Sequence, residues 1–409
     1  MRKMKDSGVK WIGDIPVTWN VYRNKNAFVC SKDLVGGKSS ETQLLSLTTK
    51  GIKLKDINNA EGKLPESFDT YQYVKKDEMV MCLFDLDCSA VFSGLSPYDG
   101  MISPAYKVLT CTDRMEPKYA DYWFQYISHG RKFNHYAKNI RYTLGYEEFS
   151  ALPMLFPDRE EQIRISNYLD AKCSKIDEII EKHQAIIEKL KEYKLSYINE
   201  VTNVNDGIKC HLGFIGQMKN GFNFTDTSEG HKIKFLGVGD FKDNFFVDKE
   251  EMFSTIISEE NVAEDYMLHS GDIVFVRSNG SKELVGRAVM VNGIEYPVTY
   301  SGFCIRFRSI RPDIIDSKFL LYYFRSLDFR KQLEKYSQGS NISNLNQDLL
   351  SSLQFTIPSK DYQKRMLDEM EIKCKEIDNV VIKFEGMNNK LQEYKKSLIY
   401  EVVTGKKEV

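Results

Sequence analysis

Residues 158–203 read DREEQIRISNYLDAKCSKIDEIIEKHQAIIEKLKEYKLSYINEVTN, with no proline and no glycine. Apolar side chains recur three and four apart: Leu169, Cys173, Ile176, Ile180, Ile187, Leu190, Tyr197 and Val201. That spacing keeps one narrow stripe on one side of a helix, the pattern of a coiled-coil seam. At 1.5 Å per residue the helix is roughly 60 Å long. A rod of that length cannot bury its stripe against itself, so it needs a partner helix.

The same chain supplies one. Shifting the sequence by 201 residues superposes Gln162, Lys172, Cys173, Ile176 and Asp177 on Gln363, Lys373, Cys374, Ile377 and Asp378. Leu190, Tyr193, Lys194 and Val201 fall on Leu391, Tyr394, Lys395 and Val402, within sixteen identities over residues 162–201. The stripe repeats as Met370, Cys374, Ile377, Val381, Phe384, Leu391, Leu398 and Val402. A period this long marks a duplicated domain rather than a solenoid repeat. Working outward, Ile12, Gly13 and Ile15 match Leu212, Gly213 and Ile215. Short strand-like runs at 44–51, 78–84 and 102–110 stand in the same order as 234–241, 272–278 and 301–309. Aromatic helices are predicted at 118–127 and 318–327, and each half closes on a polar loop and a proline, Pro157 or Pro358. The expected architecture is α+β: two duplicated α+β domains separated by two long helices that form an intramolecular antiparallel coiled coil. The boundaries are 1–158 for the first domain, 159–203 for its helix, 204–358 for the second domain and 359–409 for its helix. Gly386 is a possible kink in the second helix, and the ending EVTNVNDG leaves the stop of the first one open.

Composition bounds the class. The chain has 409 residues, 28% charged and 42% hydrophobic, with a net charge of −1, as expected of a globular protein of two or three domains. A nearly neutral chain is not one that coats nucleic acid non-specifically, although local basic patches remain open. No apolar run approaches a membrane span and the first residues lack a signal-peptide core, so a cytoplasmic location is expected. Eight cysteines form no CxxC pair, which fits reduced thiols better than a metal or disulfide framework.

Four segments carry a closer resemblance: SGVKWIGDIPVTW (7–19), REEQIRISNYLDAK (159–172), VRSNGSKELVGRA (276–288) and KKSLIYEVVTGK (395–406). With the doubled domain-then-helix plan, the whole chain resembles the DNA-specificity subunit of type I restriction–modification systems. The resemblance implies that each α+β domain is a target-recognition domain for one half of a bipartite, asymmetric site in double-stranded DNA. It implies that the helices act as a ruler for the unread spacer, and that two methyltransferase subunits and the restriction/translocase subunits are the partners. It also implies a non-catalytic chain without its own cofactor, with S-adenosylmethionine, ATP and Mg carried by those partners. Two alternatives stay open: the specificity subunit of a two-subunit type II enzyme, and a coiled-coil scaffold that binds no DNA.

Candidate DNA contacts follow from residue chemistry. Arg131, Lys132, Lys138 and Arg141 occur within twelve residues that contain no acid, interleaved with Phe133, His135, Tyr136 and Tyr142. Basic groups position phosphates, while Arg, Asn and Ser read base edges. In the second half Arg306, Arg308 and Arg311 cluster, as do Arg325, Arg330, Lys331 and Lys335; the competing reading for any of them is an ordinary solvated face. The insert VRSNGSKELVGR (276–287) offers Arg277, Asn279, Lys282 and Arg287 on a hairpin that Asn279-Gly280 would turn. Loops 138–146 and 337–347 are equivalent by the duplication and add Tyr142, Ser340 and Asn341. On the helices, Lys194 and Lys395 fall in the seam, and with Tyr193 and Tyr394 they are the expected partner contacts.

Several catalytic look-alikes carry little weight. Phe235 to Gly239 spells FxGxG, a methyl-donor turn, but no two of the ten prolines are adjacent to grip a flipped base and LLSLTTKG lacks the glycines. Asp313, Asp316 and Lys318 imitate a nuclease set but read as helix capping. Gly36-Gly37-Lys38-Ser39 lacks the leading glycine of a phosphate loop. His183, on the stripe, reads as structural.

Overall fold

The computed structural model describes residues 2–49, 51–56, 65, 67–84, 86, 93–137, 142–223, 230–258, 262–336 and 344–409. Two helices of 44 residues dominate, Arg159–Thr202 and Lys360–Val403. Asp158 Oδ1 accepts the Glu161 amide (2.7 Å) and Ser359 Oγ accepts that of Tyr362 (3.3 Å), so each start is capped just after its proline. The second helix runs uninterrupted through Gly386, so the expected kink is not there. Nothing lies within 4 Å of where a Cβ would stand at Gly386, so the glycine only weakens the helix, by about 1 kcal/mol relative to alanine. It ends at Gly405, whose left-handed φ of 71° and close approach to Pro16 both favour glycine. The first helix has no such stop and closes with Thr202 Oγ1 donating back to Ile198 O (2.8 Å).

The chain divides into two compact units, residues 1–183 with 385–409, and residues 184–384. Each unit therefore holds half of each helix. In the first, the seam residues Leu169 and Cys173 share a core with Leu398 and Val402, and Lys395 Nζ binds both oxygens of Asp177 at 2.7 Å. In the second, Ile187 and Leu190 cluster with Ile377, Val381 and Phe384, and Lys194 Nζ binds Asp378 at 2.8 and 2.7 Å. Within each unit, early residues of one helix meet late residues of the other, which makes the coil antiparallel. The apolar seam carries its stability, since partly exposed ion pairs contribute ~1 kcal/mol or less.

Four strands of the main sheet repeat in the same order in the two α+β domains. In the first unit an antiparallel sheet runs in the order Phe28–Ser31, Lys107–Cys111, Met79–Met81, Ser93–Leu95. In the second the order is Gly216–Asn220, Cys304–Ser309, Ile273–Val276, Ala288–Val291, with Phe246–Val247 added in parallel at the edge. A separate ladder joins the entry of each domain to its exit: Asn20–Arg23 with Pro153–Phe156, and Ile208–His211 with Gln354–Ile357. The short helical turn after each ladder starts alike, the Asn24 amide donating to Leu152 O and the Leu212 amide to Leu353 O, both 2.9 Å. Asn24 is thus the counterpart of Leu212, which corrects the expected match of Ile12, Gly13 and Ile15. Those three belong to a hairpin, Met4–Asp6 with Asp14–Pro16, whose Ile12, Ile15 and Trp19 pack in the core with Val402 and Val403.

The first aromatic helix spans Pro117–His129, but the second stops at Phe324 instead of continuing to 327. Arg325 turns inward there, donating to Asn244 O (3.3 Å) and Ala288 O (3.1 Å) and stacking on Phe245 at 4.3 Å. Each aromatic helix is fixed to the following long helix by one buried glutamine. Gln162 accepts the Glu116 amide (2.8 Å) and donates to Arg114 O and Pro157 O (both 3.0 Å). Gln363 accepts the Asp316 amide (2.8 Å) and donates to Ile314 O (2.8 Å) and Pro358 O (2.9 Å).

On the first aromatic helix, burial pushes the Asp121 carboxyl up from 3.8 to about 6, against hydrogen bonds from Gln125 and the Leu95 backbone. A raised carboxyl stabilises the fold fully below pH 3.8, and that contribution is lost as pH rises through 6. Asp121→Asn should therefore flatten the stability profile between those limits and raise stability at pH 7. The gain should be about 1–2 kcal/mol, reduced by the partial exposure of the residue. Melting curves at pH 4, 5, 6 and 7 check this, and an unchanged pH slope would refute it.

Candidate nucleic-acid interface

In the second unit, residues 277–287 connect strand Ile273–Val276 to strand Ala288–Val291. The connection is too long to be the two-residue Asn-Gly turn expected from the sequence, and neither Asn279 nor Gly280 has a positive φ. Asn279 Oδ1 instead accepts the Ser281 amide (2.8 Å), and a single 3-10 turn follows at Lys282–Leu284. The left-handed residue is Gly286 (φ 84°), where a Cβ would stand 2.5 Å from Leu333. Arg330 on helix Leu327–Tyr336 holds the returning arm through Val285 O at 2.7 Å. Gly280 and Ser281 are the exposed tip.

The same loop is tied to the 337–347 loop, where the Leu345 amide donates to Arg277 O at 2.8 Å. Ser340 and Asn341 lie outside the described residues. The first unit repeats the tie, with the Leu144 amide donating to Leu83 O (2.8 Å) and the Leu86 amide to Tyr142 O (3.3 Å). Residues 82–84 and 86, after strand Met79–Met81, are therefore the described first-unit counterpart of the 277–287 connection, a stretch that the sequence reading did not single out. Its place between strands Met79–Met81 and Ser93–Leu95 was the signal that could have found it.

The candidate side chains fare differently. Arg277 reaches Gly302 O at 3.5 Å and is half-buried. Arg287 is engaged by Lys242 O and Asp243. Nothing is described of the Lys282 side chain. In the first unit Arg131 is exposed in the left-handed region (φ 47°) and Lys132 Nζ sits 5.7 Å from the Tyr126 ring. Tyr142 is exposed, also left-handed (φ 46°), whereas Lys138 and Arg141 lie outside the described residues. Phe133 is buried in the core and does not interleave with the basic groups.

The second-unit basic clusters divide: Arg306 is buried, while Arg311 stays partly and Lys331 largely exposed at the surface. Arg306 is 3% exposed and donates to Asp265 O and Met267 O. Arg308 forks onto Asp272 with two 2.7 Å bonds, and Arg311 pairs with Asp313. Arg325 is so desolvated that its pKa falls to about 10. Arg330 pairs with Glu334, and Lys331 lies 3.9 Å from Asp328. The partners of Arg306, Arg308 and Arg325 are distant in sequence, which the cluster pattern could not show.

Elsewhere the Gly237 amide donates to Asp240 Oδ2 (2.8 Å), which closes the glycine turn on a carboxylate. Asp316 caps its helix by accepting the Lys318 amide (2.8 Å), and Lys318 pairs with Glu371. Among the described residues no group of three His, Cys, Asp or Glu is placed to hold a metal, and no helix is long and apolar enough to cross a membrane. On the long helices, Lys194 and Lys395 spend their ammonium groups on Asp378 and Asp177. Tyr193 and Tyr394 are 50% and 53% exposed, each in an outward line seven residues apart: Ile179, Ile186, Tyr193 and Val380, Met387, Tyr394.

Residues 210–399 match the family model for the type I restriction modification DNA specificity domain. That part of the chain is similar to the type I specificity subunits. The chain is 25% identical over 146 residues to the type I restriction enzyme EcoKI specificity subunit of Escherichia coli (strain K12), covering 36% of this chain and 31% of that protein. It is 23% identical over 145 residues to the StySPI specificity subunit of Salmonella potsdam, covering 35% and 30%. The match thus spans about a third of the length of these curated relatives. A chain solved under "Structural basis underlying complex assembly and conformational transition of the type I R-M system" is 12% identical. It superposes with a TM-score of 0.71 over 96% of this chain and 99% of itself, which shows a shared fold.

Proposed function

We propose that this chain is the non-catalytic specificity subunit of a type I restriction–modification complex. Each unit reads one half of a bipartite, asymmetric site in double-stranded DNA. Two methyltransferase subunits and the restriction/translocase subunits, carrying S-adenosylmethionine, ATP and Mg, do the chemistry that the chain directs. The observation that supports this best is the repeated tie in the two units, 83–86 to 142–144 and 277 to 345, which mounts two loops together on each sheet. Loops held by a rigid sheet are where recognition residues are placed. Arg131, Lys132, Lys138, Arg141 and Tyr142 are the proposed contacts of one unit. Arg277, Asn279, Lys282, Arg287, Ser340 and Asn341 are those of the other, with Arg287 needing to leave Asp243 to reach DNA. The outward lines ending in Tyr193 and Tyr394 are the proposed methyltransferase face, while Lys194 and Lys395 hold the coil in register for it.

Sequencing of methylated DNA after co-production with the cognate methyltransferase tests the reading. Methylation should fall on one two-part motif, and binding by the complex should weaken steeply with salt. Arg277→Ala or Asn279→Ala should relax one half-site and leave the other intact, each lost bidentate base contact being worth about 1–3 kcal/mol of discrimination. Loss of both half-sites together would make the loop structural, and methylation without any motif would sink the assignment.

A further inference from the structure

Because the seam is duplicated, a helix of this chain could in principle pair with the same helix of a second copy. The 201-residue shift matches the seam in kind at Leu169/Met370, Cys173/Cys374, Ile176/Ile377, Ile180/Val381, Leu190/Leu391, Lys194/Lys395 and Val201/Val402. The ion pairs would survive such an exchange, since in the same register Asp177 would meet Lys194 and Asp378 would meet Lys395. Apart from Tyr197, whose copy is Leu398, one layer breaks the symmetry: His183 stands where its copy has Phe384, and Asn388 where its copy has Ile187. In the structure, His183 Nδ1–H donates to Asn388 Oδ1 at 2.7 Å, with Asn388 buried in the seam. The symmetry-related layer is apolar, Ile187 clustering with Phe384.

We propose that the His183–Asn388 pair selects the partner helix, favouring the helix of the other half over the same helix from a second copy of this chain. In a first-helix homodimer each His183 would face Ile187, and in a second-helix homodimer each Asn388 would face Phe384. Neither Ile187 nor Phe384 has a hydrogen-bonding side chain. Each wrong pair would leave two polar groups, part-buried at His183 and buried at Asn388, without a partner across the seam, while the correct pair leaves none. A single polar layer in an otherwise apolar seam specifies partner and register in this way. The role is independent of DNA reading.

The test uses full-length chains carrying two different affinity tags, unfolded together in denaturant, refolded and captured through both tags in turn. His183→Phe combined with Asn388→Ile gives both layers the apolar residues of their counterparts and removes the penalty on homotypic pairing. That variant should yield a mixed-tag dimer fraction at least about fivefold above wild type, rising with protein concentration. Exchanged dimers with correct pairing form equally in both proteins, so the excess reports homotypic pairing. Asn388→Ile alone, which repairs only the second-helix homodimer, should also raise the fraction and serves if the double variant does not fold. His183→Asn combined with Asn388→His, which reverses the pair, should stay at the wild-type level. A mixed-tag fraction no higher than wild type in the apolar variants, or an equal rise in the reversed pair, overturns the proposal.

Discussion

Asp272→Ala is expected to lower the stability of the second unit by about 3–5 kcal/mol, the cost of removing one partner from a buried ion pair. The Asp272 side chain is 2% exposed and accepts Arg308 Nε and Nη2 at 2.7 Å and the His269 amide at 2.7 Å. Its loss leaves a guanidinium on the central strand Cys304–Ser309 without its counter-charge. Arg308→Met in the same chain should recover much of the loss, since an apolar pair of similar volume is often as stable as the ion pair it replaces. The two units need not unfold together, so calorimetry should resolve their transitions. Only the second should move, and methylation sequencing should show the half-site of that unit fading first on warming. A loss under 1 kcal/mol for the single variant would mean that solvent already screens the pair.

Gln162→Leu and Gln363→Leu should behave as mirror images. Each removes the acceptor of one buried amide and the donor to two buried carbonyls. Leaving buried polar groups unsatisfied costs about 1–3 kcal/mol apiece. A loss of about 2–4 kcal/mol, confined in each case to its own unit, is the expected result. Urea melts of the two variants should therefore shift different transitions by similar amounts. If Gln162→Leu moved the transition that Gln363→Leu moves, the duplicated clamp would not be what joins each aromatic helix to its rod.

What the sequence showed and what it hid divide on a physical line. The coil was legible because a seam repeats every few residues and needs no knowledge of the rest of the fold. Its duplication was legible because sixteen side chains recur at one shift. The engagement of Arg308 was not legible because a cluster of charge looks the same whether it faces water or a carboxylate 36 residues away, as Arg308 faces Asp272. Ile12 was matched to Leu212 on a short pattern, whereas strand pairing makes Asn24 the counterpart; ladder partners are long-range and leave no local trace. The Asn279-Gly280 turn failed because the strands close eleven residues apart and Gly286, packed on Leu333, supplies the left-handed residue.

The division of the helices between the units sets an order of completion during synthesis. Residues 184–384 are contiguous, so everything the second unit contains has been made once residue 384 is joined. The first unit begins earlier but waits for residues 385–409, because Leu398, Ile399, Val402 and Val403 belong to its core. At about 5–20 residues per second, the growing chain carries that open core for on the order of ten to forty seconds after residue 183 is made. Throughout that interval Trp19, Ile165 and Leu169 lack the side chains that cover them in the finished molecule. The half that leaves the ribosome first is therefore the last to close, and it is the half on which chaperones and proteases would act. A ribosome stalled between residues 384 and 409 would hold a second unit with all its parts and a first unit still missing the strip that seals it.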